Sequence, residues 1–148
     1  MKLNLLFGLT LFLALFACKQ SEPDTDPQLQ EQIQQFESIR NKANEVHDQL
    51  MSKMSEISAL RKALNDNITD QNKEVYTGAI TELKEAHDGM MEWMQDYNKK
   101  FPYEYKNPTT KAALDKDTPI LAQEVDEIVD LKEQTLDAIE NAKQLLKE

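Results

Sequence analysis

From Tyr76 to Phe101 one series of side chains recurs in steps of four and three without a miss: Tyr76, Ile80, Leu83, His87, Met90, Met94, Tyr97, Phe101. A helix turns once every 3.6 residues, so this spacing lines one face of a single helix over its whole length. A strand would need alternation by two, and no run of alternating β-branched residues stands anywhere in the chain. The spacing predicts a helix over about 70–100, closed by Pro102.

Two further stretches obey the same rule. Asp26-Pro27 offers an N-cap followed by a residue suited to the first helical position. Phe36, Ala43, His47, Leu50, Met54, Ile57 and Leu64 then form a seam, broadened by Ile39, Val46 and Leu60. Arg40 and Arg61 interrupt it and are expected to snorkel at its edge. This gives a first helix over about 28–65, ended by the turn residues Asn65-Asp66-Asn67-Ile68-Thr69-Asp70. Thr118-Pro119 repeats the cap-then-Pro pattern and opens a third helix over about 119–147, with its seam at Leu121, Val125, Ile128, Leu131, Leu136, Ile139 and Leu146. Its other faces carry Glu124, Asp126, Glu127, Asp130, Glu133, Asp137 and Glu140, which reads as a solvated acidic surface. Between the second and third helices, Phe101 to Pro108 is an aromatic loop, followed by one short helical turn at 108–114. Its rings either cap the open end of the bundle or form a stacking platform for a sugar or peptide. The fold class is all-α, an antiparallel bundle of three long helices, each turning back on the one before.

Within this plain pattern one phrase occurs twice. His47-Asp48-x-x-Met51-x-x-Met54 and His87-Asp88-x-x-Met91-x-x-Met94 stand forty residues apart and hold both histidines and every methionine but Met1. Residues at i, i+4 and i+7 share a helix face, so each histidine shares a side with its two methionines. A hairpin centred near residue 67 sets level those residues whose numbers sum to about 134, which makes His47 and His87 face each other. In that register Met54 and Met94 lie about 21 Å apart along the axis, so one cluster of all five sulfurs is excluded. What remains is a two-histidine centre that Met51, Met91 and Met90 can approach. Imidazole with thioether is a soft donor set, and outside the cytoplasm it suits Cu(I) best, with Cu(II) served by the imidazoles. Asp48 and Asp88 are candidates to orient the rings. A b-type haem held between His and Met is a second cofactor reading, and it needs a wide cavity. The competing structural reading is core packing: methionine fills irregular gaps, and a duplicated helix repeats its core residues without any chemistry. Phe36/Tyr76, Ala43/Leu83 and Val46/Ala86 extend the duplication and fit that reading.

The chain opens with Lys2 and an apolar run from Leu3 to Phe16, too short for the roughly 20 residues of a spanning helix. It ends in Leu15-Phe16-Ala17-Cys18, a lipobox, so 1–17 reads as a lipoprotein signal peptide and Cys18 as the lipidated residue. An uncleaved apolar anchor is the alternative. Three acyl chains on Cys18 exceed the two signals stable anchoring needs. Residues 18–27 form the lipidated Cys and tether, and 28–148 the helical domain. Cys18 is the only cysteine, so no intramolecular disulfide forms. The net charge of -10 falls to -11 once Lys2 leaves with the signal, and such an acidic body disfavours nucleic acid. Neither a glycine-rich phosphate loop nor a nucleophile motif nor a third histidine for zinc is present, so no enzyme chemistry is expected.

With the lipobox from Leu15 to Cys18 and the motif helices Val46–Leu64 and Ala86–Phe101 in view, the chain resembles a group of short lipoproteins of Bacteroidetes-type bacteria. Their bodies carry one or two His-Asp-x-x-Met-x-x-Met helices, and some bear the label viral A-type inclusion protein. The resemblance implies a helical envelope lipoprotein without an assigned activity. The expectation is a non-enzymatic, lipid-anchored module of the cell envelope, on the outer membrane, meeting the membrane through Cys18 and a protein partner through its helices. The alternative is an extracytoplasmic copper-binding protein using His47, His87, Met51 and Met91.

Overall fold

The computed structural model describes residues 26–147; the expected signal, Cys18 and the tether as far as Thr25 lie outside the described residues. The described chain is all-α: α1 (Pro27–Met51), α2 (Met54–Asp66), α3 (Lys73–Lys100) and α4 (Lys111–Leu145). α1 and α2 run in line as one rod, α3 returns antiparallel to it, and α4 runs parallel to the first rod, packed along α1, α2 and α3. No described helix is long and apolar enough to cross a membrane.

One repeat organises the packing. Phe36, Ala43, Leu50, Ile57 and Leu64 follow one another every seven residues and are all buried. On α4 the same interval joins Leu114, Leu121, Ile128, Thr135 and Ala142, all buried, and on α3 it joins Ala79, Ala86 and Trp93 beside Leu83 and Met90. Seven residues are two turns of a slightly underwound helix, so these positions stay on the line where three rods meet. The α3 stripe is centred one residue from the sequence seam, leaving Ile80, His87 and Met94 at its half-buried edge. On α4, Glu124 and Thr135 occupy core positions that the sequence assigned to Val125 and Leu136. Leu136 is exposed instead, and Glu124 is fully buried rather than part of the solvated acidic face. The core divides into a proximal layer around Phe36, Phe101, Leu114 and Leu121, a middle layer around Val46, Leu50, Met90, Trp93 and Ile128, and a distal layer around Ile57, Leu64, Leu83 and Ile139.

The helix boundaries depart from expectation in three places, each with a local cause. The first helix is interrupted at Ser52-Lys53. There the Ser52 hydroxyl donates to the Gln49 carbonyl at 2.6 Å, and the Lys53 N–H turns to the Leu50 carbonyl at 2.8 Å. Serine competes for backbone groups in this way, and the turn tightens. The interruption leaves the seven-residue interval from Leu50 to Ile57 intact, so the seam runs straight through it. α3 starts at Lys73 rather than 70 because Asn72 closes the connection: its Oδ1 accepts from the Thr69 N–H at 2.6 Å and its Nδ2 donates to the Asn67 carbonyl at 3.0 Å. α4 starts at Lys111, not 119. Thr110 is the cap, its Oγ1 accepting from the Ala113 N–H at 3.4 Å, and the helix continues through Pro119. Proline there removes one helical hydrogen bond, leaving the Asp115 carbonyl without its N–H, and the burial of Leu114 and Leu121 on either side helps offset this. Asp26 and Pro27 begin α1 as expected, with Asp26 Oδ1 accepting from the Gln28 N–H at 3.0 Å.

The aromatic loop caps the proximal end. Phe101 meets Phe36 edge-on at 6.4 Å and Tyr105 at 5.1 Å between ring centroids, and Arg40 clamps the loop by donating to Asn107 Oδ1 at 2.6 Å. Tyr103 alone points out, 95% exposed. At the middle layer Gly89 makes room for α4: a Cβ there would lie 2.9 Å from Leu131 Cδ1.

Two substitutions test this packing. Pro119→Ala on the exposed face of α4 restores the missing bond and is expected to raise stability to urea by roughly 1–3 kcal/mol. Thr135 is fully buried with no partner for its hydroxyl. Thr135→Val replaces that orphan by a methyl and is expected to stabilise by about 1 kcal/mol. A loss of stability in either variant would show that its backbone carbonyl or hydroxyl is satisfied in solution.

Candidate functional site

The doubled motif sits on two different scaffolds. His87, Asp88, Met91 and Met94 all lie within α3, whereas the first copy places His47, Asp48 and Met51 on the last turns of α1 and Met54 at the start of α2, beyond the interruption. In both copies the histidine turns back to the aspartate after it. His47 Nδ1 is 3.0 Å from Asp48 Oδ1, and His87 Nδ1 is 3.3 Å from Asp88 Oδ1. Successive residues point about 100° apart round a helix, yet both contacts form.

The histidines do not meet at one level. His47 Nε2 reaches Met94 Sδ at 3.3 Å, and its ring lies 6.0 Å from that of Trp93. The level pairs therefore sum to 141, not 134, because the connection spans residues 67–72 and moves the centre of the hairpin toward Asp70. His87 is then level with Met54, and the two imidazoles are separated by seven residues of helix, about 10 Å along the axis. Among the described residues they share no hydrogen-bond partner.

The methionines part company as well. Met51, expected beside His47, is 41% exposed. Met90 is core, Met91 packs half-buried in the middle layer, and Met54 bridges the middle and distal layers. Among the described residues only Met94, which the 134 register had set far from the centre, contacts a histidine nitrogen. The set His47, His87, Met51 and Met91 is thus not assembled at one point; the structure instead assembles His47 with Met94.

Around that contact is an open groove of about 350 Å³ lined by Asn44, His47, Trp93, Met94, Tyr97 and Asn98. Trp93 stacks on Tyr97 at 4.8 Å, and its Nε1–H donates to the Glu124 carbonyl at 3.0 Å, which fixes the indole between α1 and α4. Sequence reasoning attached no role to Trp93. Its signal was available: it is the only tryptophan and directly precedes the last methionine of the motif.

A second polar cluster lies behind Trp93. Asp96, Glu124 and Glu127 bring carboxylate oxygens within 4.8 Å of one another. A cation already sits there: the Lys100 ammonium is 2.6 Å from Asp96 Oδ2 and also pairs with the buried Glu124. Glu124 Oε2 has no partner. The Leu121–Glu124–Ile128 spacing of three and four could have placed Glu124 in the core, had its charge not argued for the surface.

Several ion pairs across the bundle shift ionisation. The Asp96, Asp88 and Glu56 carboxyls are held below their usual range, chiefly by hydrogen bonds from Lys100, Lys84 and Lys143 respectively. Lys100 is raised, first by Asp96 and then by Glu124, and burial first of all raises Tyr97 and Tyr105, the latter also donating to Asp117. Lowered carboxyls contribute stability that is in place above about pH 4 and is lost as the pH falls through their folded values. Raised lysine and tyrosines contribute stability in place below about pH 10 and lost as the pH rises through theirs. Thermal melts are therefore expected to show a plateau from about pH 5 to 10 with a fall on both sides. A melting temperature that climbs steadily toward pH 3 would contradict these pairs.

Searches against protein-family models, curated proteins and solved structures found no match to the chain.

Proposed function

We propose that the protein is a non-enzymatic, lipid-anchored component of the cell envelope whose bundle is a rigid binding or scaffold module. The observation that carries this reading is the order of features at the N-terminus. A lipobox ends at Cys18, a polar Lys19–Thr25 segment follows, and the capped first turn of α1 begins at Asp26-Pro27. Anchor, spacer and domain follow one another in that order.

The fold supports a spacing role. α4 has 35 residues and spans about 52 Å. The anchored end of α1 shares the proximal layer with the aromatic loop, so the α2–α3 connection stands at the far end of the rod. A core filled along its whole length supports a module that works through its surface. Outer-membrane placement, and the likeness to Bacteroidetes-type lipoproteins, belong to the same proposal.

The test is metabolic labelling of the expressed chain with an alkyne fatty acid, followed by membrane fractionation. Incorporation of label and recovery in the outer membrane are expected, with both lost in Cys18→Ser. Unsubstituted protein that is membrane-bound yet carries no label would support the uncleaved apolar anchor and overturn the lipid anchor.

A further inference from the structure

We propose that His47 Nε2 and Met94 Sδ are the paired donors of a Cu(I) site walled by Trp93. The inference goes beyond the anchoring role and does not depend on it, since every residue lies in the bundle.

The chemistry begins with the tautomer. A neutral imidazole has one N–H and one lone pair, and an ionised carboxylate only accepts. With Asp48 Oδ1 at 3.0 Å from Nδ1, the proton of the neutral ring belongs on Nδ1. Nε2 then presents its lone pair, and what it faces at 3.3 Å is a thioether, which has no proton to give. In that tautomer two electron-pair donors lie 3.3 Å apart with no proton between them, an arrangement that a soft cation set to one side of the line joining them satisfies. A carboxylate on the far nitrogen is also how metal-bound histidines are oriented and made more basic.

The spacing suits an ion. On zinc bond lengths of about 2.0–2.1 Å to nitrogen and about 2.3 Å to sulfur, an ion touching both atoms would hold them at roughly 100°. That leaves further positions open toward the groove, which Trp93, Tyr97, Asn44 and Asn98 also line. Imidazole plus thioether selects Cu(I) over the harder divalent ions. With two protein donors and an open side, the site is one from which an incoming ligand can withdraw the metal.

The same register accounts for the doubling of the motif. His47 is level with Met94, and His87 is level with Met54, so each histidine lies opposite the last methionine of the other copy. The hairpin has an approximate two-fold relation that generates two half-sites. They are not equal: the residue before Met94 is Trp93, whereas the residue before Met54 is Lys53, at the interruption of the rod and ion-paired to Glu56. The first pair has its aromatic wall, and among the described residues only there does a histidine nitrogen meet a methionine sulfur.

Trp93, the sole tryptophan, makes the test local. The full chain carrying Cys18→Ser, so that no thiol competes, is purified in detergent and titrated with Cu(I) without oxygen against a chromophoric Cu(I) chelator. Indole fluorescence and chelator absorbance are read together. The expected result is quenching that saturates at one equivalent. His47→Ala and Met94→Leu each weaken binding on the order of tenfold or more, while His87→Ala and Met51→Leu leave it unchanged. Met94→Leu conserves volume and keeps the fold; should His47→Ala lose helical signal by circular dichroism, His47→Gln replaces it. Absence of saturable quenching, binding indifferent to Met94→Leu, or equal losses in His87→Ala or Met51→Leu would each overturn the proposal.

Discussion

Everything in this fold depends on the seven-residue interval shared by three rods. Buried side chains at Phe36, Ala43, Leu50, Ile57 and Leu64 on one rod, and Leu114, Leu121, Ile128, Thr135 and Ala142 on another, keep a common line for the length of the bundle. Because that line is defended at every second turn, local irregularities are tolerated without changing the architecture. The tightened turn at Ser52-Lys53 and the proline at 119 both interrupt backbone bonds, and neither shifts the interval. Packing of an apolar face, rather than propensity or unbroken hydrogen bonding, is what makes these segments helices.

The polar groups inside the core mark where this economy is relaxed. Glu124 is buried with one oxygen on Lys100 and the other unpartnered, and its backbone carbonyl receives the Trp93 indole. A buried ion pair is weak support for stability, because desolvation offsets most of its attraction. What is positional here is the Glu124 backbone carbonyl: by receiving the indole N–H it fixes Trp93, and with it one wall of the groove in which His47 and Met94 meet.

Much of the architecture was legible in the residues. Asp26-Pro27 and Pro102 mark their helix ends correctly, and the three-rod arrangement follows from the four-three spacing. What was not legible came from interactions outside the seam. Asn72 and Thr110 decide where α3 and α4 begin through side-chain bonds that no periodicity reports. Glu124 and Thr135 hide the true stripe of α4, because a charge and a hydroxyl at core positions look like surface. The motif itself was visible, but its pairing was not. A shift of the hairpin centre by about three residues, set by the length of the connection, carries a histidine two turns along its partner. Spacing within a helix is a property of sequence, whereas register between helices is a property of the turn that joins them.

The packing arrangement also dictates an order of assembly. α2 and α3 are neighbours in sequence across a short connection, and their backbones approach closely, so that hairpin can form from local contacts alone. α1 is different: its close backbone partner is α4, while it meets α3 chiefly through long side chains such as His47 to Met94. Such distant pairings pay for loop closure before any contact rewards it. A chain that emerges N-terminus first therefore exposes the apolar face of α1 until the last helix has arrived. Over that interval α1, about a fifth of the described residues, depends on whatever shields apolar surface, and α4 is the element that ends the dependence.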